Sequence, residues 1–372
     1  MTDPTRKTDR NPTRKKASRS FRLAEVDYRI LRFVYEHRFL NTELLWYLLK
    51  SGDEEEKPEF VLGKDGRKRP AQYGFGMKAL YKHLLRLSDT NYLHRQPLID
   101  LPIGGSHGAP RAAYSLGIKS APIIAERTGT AIQHIRNIID ANRVKSLFLR
   151  HALDIARFRA TLELACHSSG GRLRLIFWEQ GQGLRDHAVG ENESGGTERF
   201  PVNPDAYFGI HVRDRGNASY FLEMDRGTMP VISKKDRPDI RKKVFGYMHY
   251  RKSGEYRKKY YYSFLPNGQP SGLYINPPNN QNTTVQQNEF LQPVKGFSVL
   301  FVVPGTLYKN KFVSGRIENI LSAFPFFGKS FASTSLFWLT TPGAYDIENP
   351  ESILGDIWIT PNPEKPMQSL IE

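Results

Sequence analysis

The chain has 372 residues, 39% of them hydrophobic and 12% aromatic, enough to build a core and too many for a chain disordered throughout. Its 54 Lys and Arg against 38 Asp and Glu leave a formal charge of +16, which favours a polyanionic partner, nucleic acid first. A single cysteine, Cys166, excludes an intrachain disulfide and a cysteine-built zinc site, and no apolar run reaches the roughly 18 to 20 residues of a membrane span.

The length suggests two domains. Residues 1–20 carry seven Lys or Arg, two Pro and no large apolar residue beyond Met1. That is the composition of a disordered basic arm, following a phosphate backbone or simply solvated. It lacks the apolar stretch of a secretory signal, so a cytoplasmic protein with no membrane partner is expected.

Residues 21–120 read as a DNA-binding domain. Leu23, Val26, Ile30, Phe33 and Val34 recur at three- and four-residue steps, which predicts an amphipathic helix. NTELLWYLLK (Asn41 to Lys50) is predicted as a second helix capped by Asn41 or Thr42, and the charged SGDEEEKPEFVLGKDGRKRP after it as a loop. In GMKALYKHLLRL, Met77, Leu80, Leu84 and Leu87 share one helical face, with Lys78 and Lys82 opposite. A recognition helix presents cations to a major groove in this way, and Lys78, Tyr81, Lys82 and Arg86 are its candidate DNA contacts. NYLHRQPLIDL and RAAYSLGI are predicted strands joined by PIGGSHGAP, a ribbon from which His107 and Arg111 could reach phosphate. Three helices followed by such a ribbon make a winged helix-turn-helix. The competing reading of the third helix is a plain solvated face.

Residues 121–145 read as a helical linker with a break near Asn142. From 146 to 345 the period changes. RLRLIFW, DAYFGIHV, SYFLEMD and FSVLFVV are predicted strands, with helices over His151–His167, Arg237–Arg251 and Arg316–Ala323. Strands flanked by helices predict an α/β sandwich, so the fold class is α+β overall, with an α/β second domain. PNGQPSGLYINPPNNQNTTVQQNEF is expected to be a loop, and residues 346–372 a C-terminal tail.

Two of these strands carry acids. Residues i and i+2 of a strand share a face, so Glu223 and Asp225 point one way, while Asp205 opens the run before them. If the two runs pair as a hairpin across RDRGN, Asp205 and Glu223 meet near its open end. Clustered carboxylates repel and a divalent cation relieves the repulsion. Oxygen ligands select Mg²⁺ or Mn²⁺, which can position a water for attack on a phosphodiester. Glu179 could supply a further acid. The alternatives are that Glu223 and Asp225 pair with arginines, Arg226 or Arg241 among them, or that Asp225 merely ends the strand.

Pro204-Asp205 on one strand and Glu223-Met224-Asp225 on the next resemble the core of the PD-(D/E)XK nuclease superfamily. A longer pattern, RHALDIARFRATLEL, FWEQGQGLR, NPDAYF, FLEMDRGTMP and RKKVFGYMHY in this order, resembles the replication-relaxation family over about Arg22 to Phe337. The resemblance implies a protein of plasmids or other mobile elements that binds double-stranded DNA in replication or relaxation, a winged helix followed by a PD-(D/E)XK-like domain. Asp205, Glu223 and the Met224 main chain would then hold Mg²⁺ or Mn²⁺. One departure stands out: the superfamily places a lysine two residues after its second acid, and this chain has Asp225 there. Lys243, at the edge of a stripe of Ile240, Val244 and Tyr247 on the following helix, is the candidate to take over charge stabilisation, with Asp225 assisting and Lys242 on the far side. A metal-dependent nicking endonuclease and a non-catalytic winged-helix regulator with a degenerate nuclease-like domain both stay open, and a homodimer is compatible with either.

Other chemistry is sparse. No GxxxxGK[ST] loop is present. The tyrosines of YRKKYYYS (Tyr256–Ser263) suggest a surface that stacks on nucleic acid, or a nicking nucleophile that lacks the histidine cluster such enzymes need. His151 and Asp154 are expected to face the sheet or the domain junction.

Overall fold

Apolar residues at helical steps draw the first third of the chain around one core. In chain order it runs α1 (Glu25–His37), β1 (Leu40–Asn41), α2 (Thr42–Ser51), β2 (Phe60–Leu62), β3 (Lys68–Pro70), α3 (Met77–Asp89), β4 (Leu93–Pro97), β5 (Ala112–Leu116), α4 (Ala121–Thr128) and α5 (Ile132–Ala141). Ile30, Val34, Leu45, Leu80, Leu84 and Leu87 are fully buried in that core. Met77, expected on the same face, is 40% exposed because it starts α3, where no earlier turn covers it. Asn41 caps α2 by accepting the Leu44 amide at 2.8 Å. β1, β5 and β4 form an antiparallel sheet in the order β1-β5-β4, so the β4–β5 ribbon is anchored to the strand between α1 and α2. β2 and β3 pair within the stretch expected to be only loop.

The computed structural model describes residues 22–51, 60–62, 68–70, 76–98, 112–143, 146–192, 194–234, 237–276, 290–308, 311–313, 315–324, 335–362 and 366–371. The basic arm, the PIGGSHGAP loop with His107, and Arg111 lie outside the described residues.

The break expected near Asn142 is present: α5 stops at Ala141, Asn142 caps it, and α6 spans Ser146–Ser168. α6 serves two cores. Ala156, Ala160 and Leu164 pack into the first, whereas Ile155, Phe158, Leu162 and Ala165 pack onto the sheet that follows. Its flanks are also tied to the first region, Arg157 to Glu43 at 3.3 Å and His37 to Glu163 at 3.1 Å.

The second region continues as β6 (Leu173–Glu179), β7 (Asp186–Glu191), β8 (Thr197–Val202), β9 (Ala206–Val212), β10 (Gly216–Met224), α7 (Ile240–Ser253), α8 (Tyr256–Lys259), β11 (Tyr260–Phe264), β12 (Pro270–Ile275), β13 (Phe290–Pro293), β14 (Ser298–Val302), β15 (Thr306–Tyr308), β16 (Lys311–Val313), α9 (Gly315–Ala323) and β17 (Phe337–Thr340). Five strands form one mixed sheet in the order β17-β14-β10-β9-β6, with β6, β9 and β10 antiparallel and β10, β14 and β17 parallel. Alternation along the strands gives the sheet two apolar faces. Phe208, Leu222 and Leu300 meet α6, whereas Tyr207, Phe221 and Phe301 meet α7 and α9. Helices on both faces of a mixed sheet make this part α/β and the whole chain α+β.

Several elements were not foreseen, the β7–β8 hairpin and β12 among them. The β7–β8 hairpin lies under α7, and Gly246 permits the approach: a Cβ there would stand 2.9 Å from the Pro201 carbonyl. β12 forms inside the expected polar loop and pairs with β11, whose other edge carries β13. The C-terminal stretch is no loose tail. Trp358 and Ile353 are fully buried, and Ile359 bridges to Leu339, because this stretch supplies apolar cover for α6 and the sheet. Among the described residues no helix is long and apolar enough to cross a membrane.

Candidate functional site

The site grows from the β9–β10 hairpin. Its turn, Arg213–Arg215, is closed by Gly216 at φ 98°, a left-handed conformation that glycine adopts without a steric penalty. The register pairs Ala206 with Leu222, and the Asp205 amide donates to the Leu222 carbonyl at 2.9 Å. Asp205 therefore sits one residue beyond the ladder, beside the end of β10 that carries Glu223. Asp205, Glu223 and Lys243 line one cleft of about 340 Å³.

Each acid is held. One Asp205 oxygen contacts His151 Nε2 at 2.9 Å and the other accepts the Met224 amide at 2.8 Å. Glu223, almost wholly buried, takes Lys243 Nζ at 2.5 Å on one oxygen and the Tyr247 hydroxyl at 2.6 Å on the other. Lys243 and Tyr247 are four residues apart, so one face of α7 delivers both. The helix start is fixed by Asp239, whose carboxylate accepts the amides of Lys242 and Ser233, each at 2.7 Å. Ile240, Val244 and Tyr247 are buried as the apolar stripe, and Lys242 turns away toward Glu198 at 3.6 Å.

Burial pushes the Glu223 carboxyl above the usual carboxylate range, against the pull of Lys243, and the neighbouring Asp205 adds to the rise. Burial also opposes the charge on Lys243, but the Glu223 and Asp205 carboxylates overcome it, and its pKa is raised. For His151, burial is likewise outweighed by the hydrogen bond and charge of Asp205, so its pKa is raised.

Asp225 shares the cleft but is gripped by Arg316, with Nε at 2.7 Å and Nη2 at 3.1 Å, and it accepts the Gly227 amide at 3.1 Å. Its arginine partner thus comes from α9, 91 residues further on, not from the neighbours weighed in the sequence. Met224 meets the acids through its amide, a donor, so only its carbonyl could serve a cation. Glu179 stands on edge strand β6 opposite Tyr207 and is not among the residues lining the cleft. Asp154 is half exposed, 3.9 Å from Arg226. Among the described residues, no three His, Cys, Asp or Glu groups gather as a metal-holding set.

On α3, Lys78 and Lys82 are exposed and Tyr81 is partly buried. Arg86 instead binds Asp27 at 2.7 Å, with His83 at 2.6 Å on the other oxygen of this fully buried carboxylate, so it ties α3 to α1. Burial of Tyr256, Tyr260 and Tyr262 removes them as stacking surfaces. The Tyr262 hydroxyl is pushed up to about 12 by burial, the wrong direction for a nucleophile.

Two comparisons, with curated proteins and with solved structures, give no match. The replication-relaxation family model matches residues 31–264, more than half of the chain. The chain belongs to the replication-relaxation family. The span matched to this replication-relaxation family runs from within α1 to the end of β11 and contains His151, Asp205, Glu223, Lys243 and Tyr247, while Arg316 lies beyond it.

His151, Tyr247 and Arg316 carry more of the site than their sequence context signals. His151 had one usable signal, a polar residue at the start of a helix whose later turns pack on the sheet. Tyr247 had another: it stands one turn after Lys243. Nothing local marks Arg316, because its link to Asp225 exists only once β14 lies parallel to β10 and leads on to α9.

Proposed function

We propose that this replication-relaxation protein binds double-stranded DNA through an N-terminal winged helix and acts on the phosphodiester backbone through a PD-(D/E)XK-like site at Asp205, Glu223 and Lys243. It would serve replication or relaxation of a plasmid or other mobile element in the cytoplasm. One observation carries the reading. The motif's lysine is missing two residues after Glu223, and Lys243 of α7 brings its Nζ to 2.5 Å from that same carboxylate, in the cleft that Asp205 also lines.

The order α1-β1-α2-α3-β4-β5, interrupted by the β2–β3 pair between α2 and α3 and with β1 on the ribbon, is the order a winged helix would need and supports the binding half. α3 then offers Lys78, Tyr81 and Lys82 to the groove, and the net charge of +16 supplies the field. In the cleft, the two carboxylates offer only oxygen donors and repel one another, a set that fits Mg²⁺ or Mn²⁺. Mg²⁺ needs no more than one or two protein carboxylates, with waters and phosphate oxygens completing its shell. Asp205 and Glu223 would hold it, with the Met224 carbonyl as a further candidate. Such an ion supplies an activated water and a sink for charge on the phosphate. Lys243, kept charged by its acid neighbours, is placed to offset the charge that develops on a phosphate oxygen. His151 orients Asp205, and Tyr247 orients Glu223.

A non-catalytic regulator is the second reading, favoured by the closed pairs: Glu223 is satisfied by Lys243 and Tyr247, and Asp225 by Arg316. Supercoiled plasmid incubated with Mg²⁺ or Mn²⁺ separates the two. Nicking by the wild type that disappears in Glu223→Ala supports phosphodiester chemistry. Salt-dependent binding with no nicking by either protein, on plasmid bearing its own target site, leaves the regulator.

A further inference from the structure

We infer that the cleft accepts a single unstacked nucleotide whose base lies against Phe148, so its substrate is single-stranded or locally melted DNA. This rests on the phosphodiester reading above and deepens it.

Large apolar residues left singly in water are ordinary, so exposure alone says little. Phe148 is different in its place. It is 59% exposed, and of the exposed large apolar residues among those described, only it lines the acid cleft. It stands on the first turn of α6, three residues before His151, so helical spacing sets it directly above the side chain that touches Asp205. Met229, Ile240 and the buried Phe301 also line the cleft, from the α7 side of the sheet. Charged residues supply the rest of the lining, chiefly Asp205, Glu223, Asp225, Arg226 and Lys243.

A cleft lined by an exposed aromatic ring together with acids, a lysine and an arginine offers partners to both ends of a nucleotide, which has a flat base at one end and a phosphate at the other. Its volume of about 340 Å³ is at the small end of sites for one small molecule. A base inside a duplex has both faces covered by its neighbours and cannot stack on a side chain. Only an unpaired or extruded base can, and base–aromatic stacking tolerates any sequence. The proposed division of labour follows: α3 holds paired DNA, and α6 with the β9–β10 hairpin holds a strand that has left the duplex.

The test couples the ring to the base. In a Glu223→Gln background with Mg²⁺ present, so that no strand is cut, affinity is measured for a short single-stranded oligothymidylate and for the same backbone with tetrahydrofuran in place of every base. With Phe148 present, loss of the bases is expected to weaken binding by about tenfold. With Phe148→Ala the loss should shrink below about twofold, and Phe148→Trp should restore it. Phosphate contacts elsewhere on the protein cancel in this comparison. An equal loss with Phe148 and with Phe148→Ala, or no binding of the oligothymidylate, overturns the inference. Plasmid nicking reports separately: coupling without nicking would remove the phosphodiester chemistry and leave a nucleotide cleft, whereas nicking without coupling would remove only Phe148.

Discussion

α3 and α7 are both short, basic helices, and they use their cations in opposite ways. Lys78 and Lys82 on α3 stand in water, with no carboxylate partner among the described residues. Lys243 on α7 is one-quarter exposed and lies 2.5 Å from a carboxylate that is 3% exposed. The difference comes from what lies beneath each helix. Under α3 is a core of leucines, and the buried acid beside it, Asp27, is taken by Arg86 and His83, which leaves Lys78 and Lys82 on the outer face. Under α7 is the end of β10, where the apolar pattern is broken by Glu223. A lysine over leucine is a diffuse charge that suits a polyanion, whereas a lysine over a buried acid is a fixed chemical group.

The largest effect should come from breaking the fixed pair. Lys243→Ala leaves Glu223 buried with only Tyr247 as partner, and removing one member of a buried ion pair costs about 3 kcal/mol or more. Glu223→Gln should cost less, about 1 kcal/mol, because Tyr247 can still donate to the amide oxygen and Lys243 can turn toward water. Urea unfolding of the two variants measures both. A Lys243→Ala loss no greater than that of Glu223→Gln would mean that α7 holds its lysine no more firmly than α3 holds its own. Glu223→Gln should nonetheless abolish any plasmid nicking.

Next comes the junction between the regions. Glu163 on α6 is drawn toward ionisation against the cost of burial. His37 at 3.1 Å and Arg159 at 2.7 Å bring its pKa to about 2, from an ordinary value of 4.5. A depressed carboxylate contributes stability that is fully present above its unfolded value and is lost as pH falls through the folded one. The protein should therefore lose on the order of 2 to 3 kcal/mol between about pH 4.5 and pH 2 from this group. Glu163→Gln should lack that contribution at neutral pH and show a flatter stability profile across the same window, measured by thermal unfolding at stepped pH. Parallel profiles would show that α6 is not locked to α1 through this residue.

What the sequence made legible follows from the range of the interactions. Period and composition show helix faces and strands, so α1, α3, α7, β9, β10 and β14 could be read. The β9–β10 hairpin was within reach because its turn is local. The β7–β8 hairpin and the pairing of β12 with β11 were not, since polar, Gly- and Pro-rich segments acquire strand form only from the partner they meet. The acids were visible as residue types, but their partners were not. That Glu223 meets Lys243, 20 residues away, could be guessed from a helical stripe. That Asp225 meets Arg316 could not. The same limit explains Arg86, a candidate DNA contact on a helical wheel, which in the fold reaches Asp27 of α1.

Arg86 sharpens the comparison from within α3. Arg86→Ala leaves buried Asp27 with His83 and the Ala24 amide as partners, and with the arginine 43% exposed the expected cost is about 1 to 2 kcal/mol. Duplex affinity at fixed salt should change less than in a variant lacking Lys82. A loss of binding with no loss of stability would return Arg86 to the DNA-facing set.

The smallest effect on folding, and the most telling one on binding, belongs to Lys78 and Lys82. Truncating two exposed side chains, Lys78→Ala with Lys82→Ala, should leave the unfolding free energy within about 0.5 kcal/mol of the wild type. If both cations lie on phosphates, each releases about one condensed counterion on binding. The slope of log affinity for duplex DNA against log salt should then fall by roughly 0.9 for each lysine, close to 2 for the pair. Binding should weaken across unrelated duplexes alike, because phosphate contacts position the protein without reading bases. An unchanged slope would take α3 off the DNA, and the winged-helix half of the proposal would fall with it. A reduced slope together with a large loss of stability would instead mean that these lysines, like Lys243, are bound to the fold.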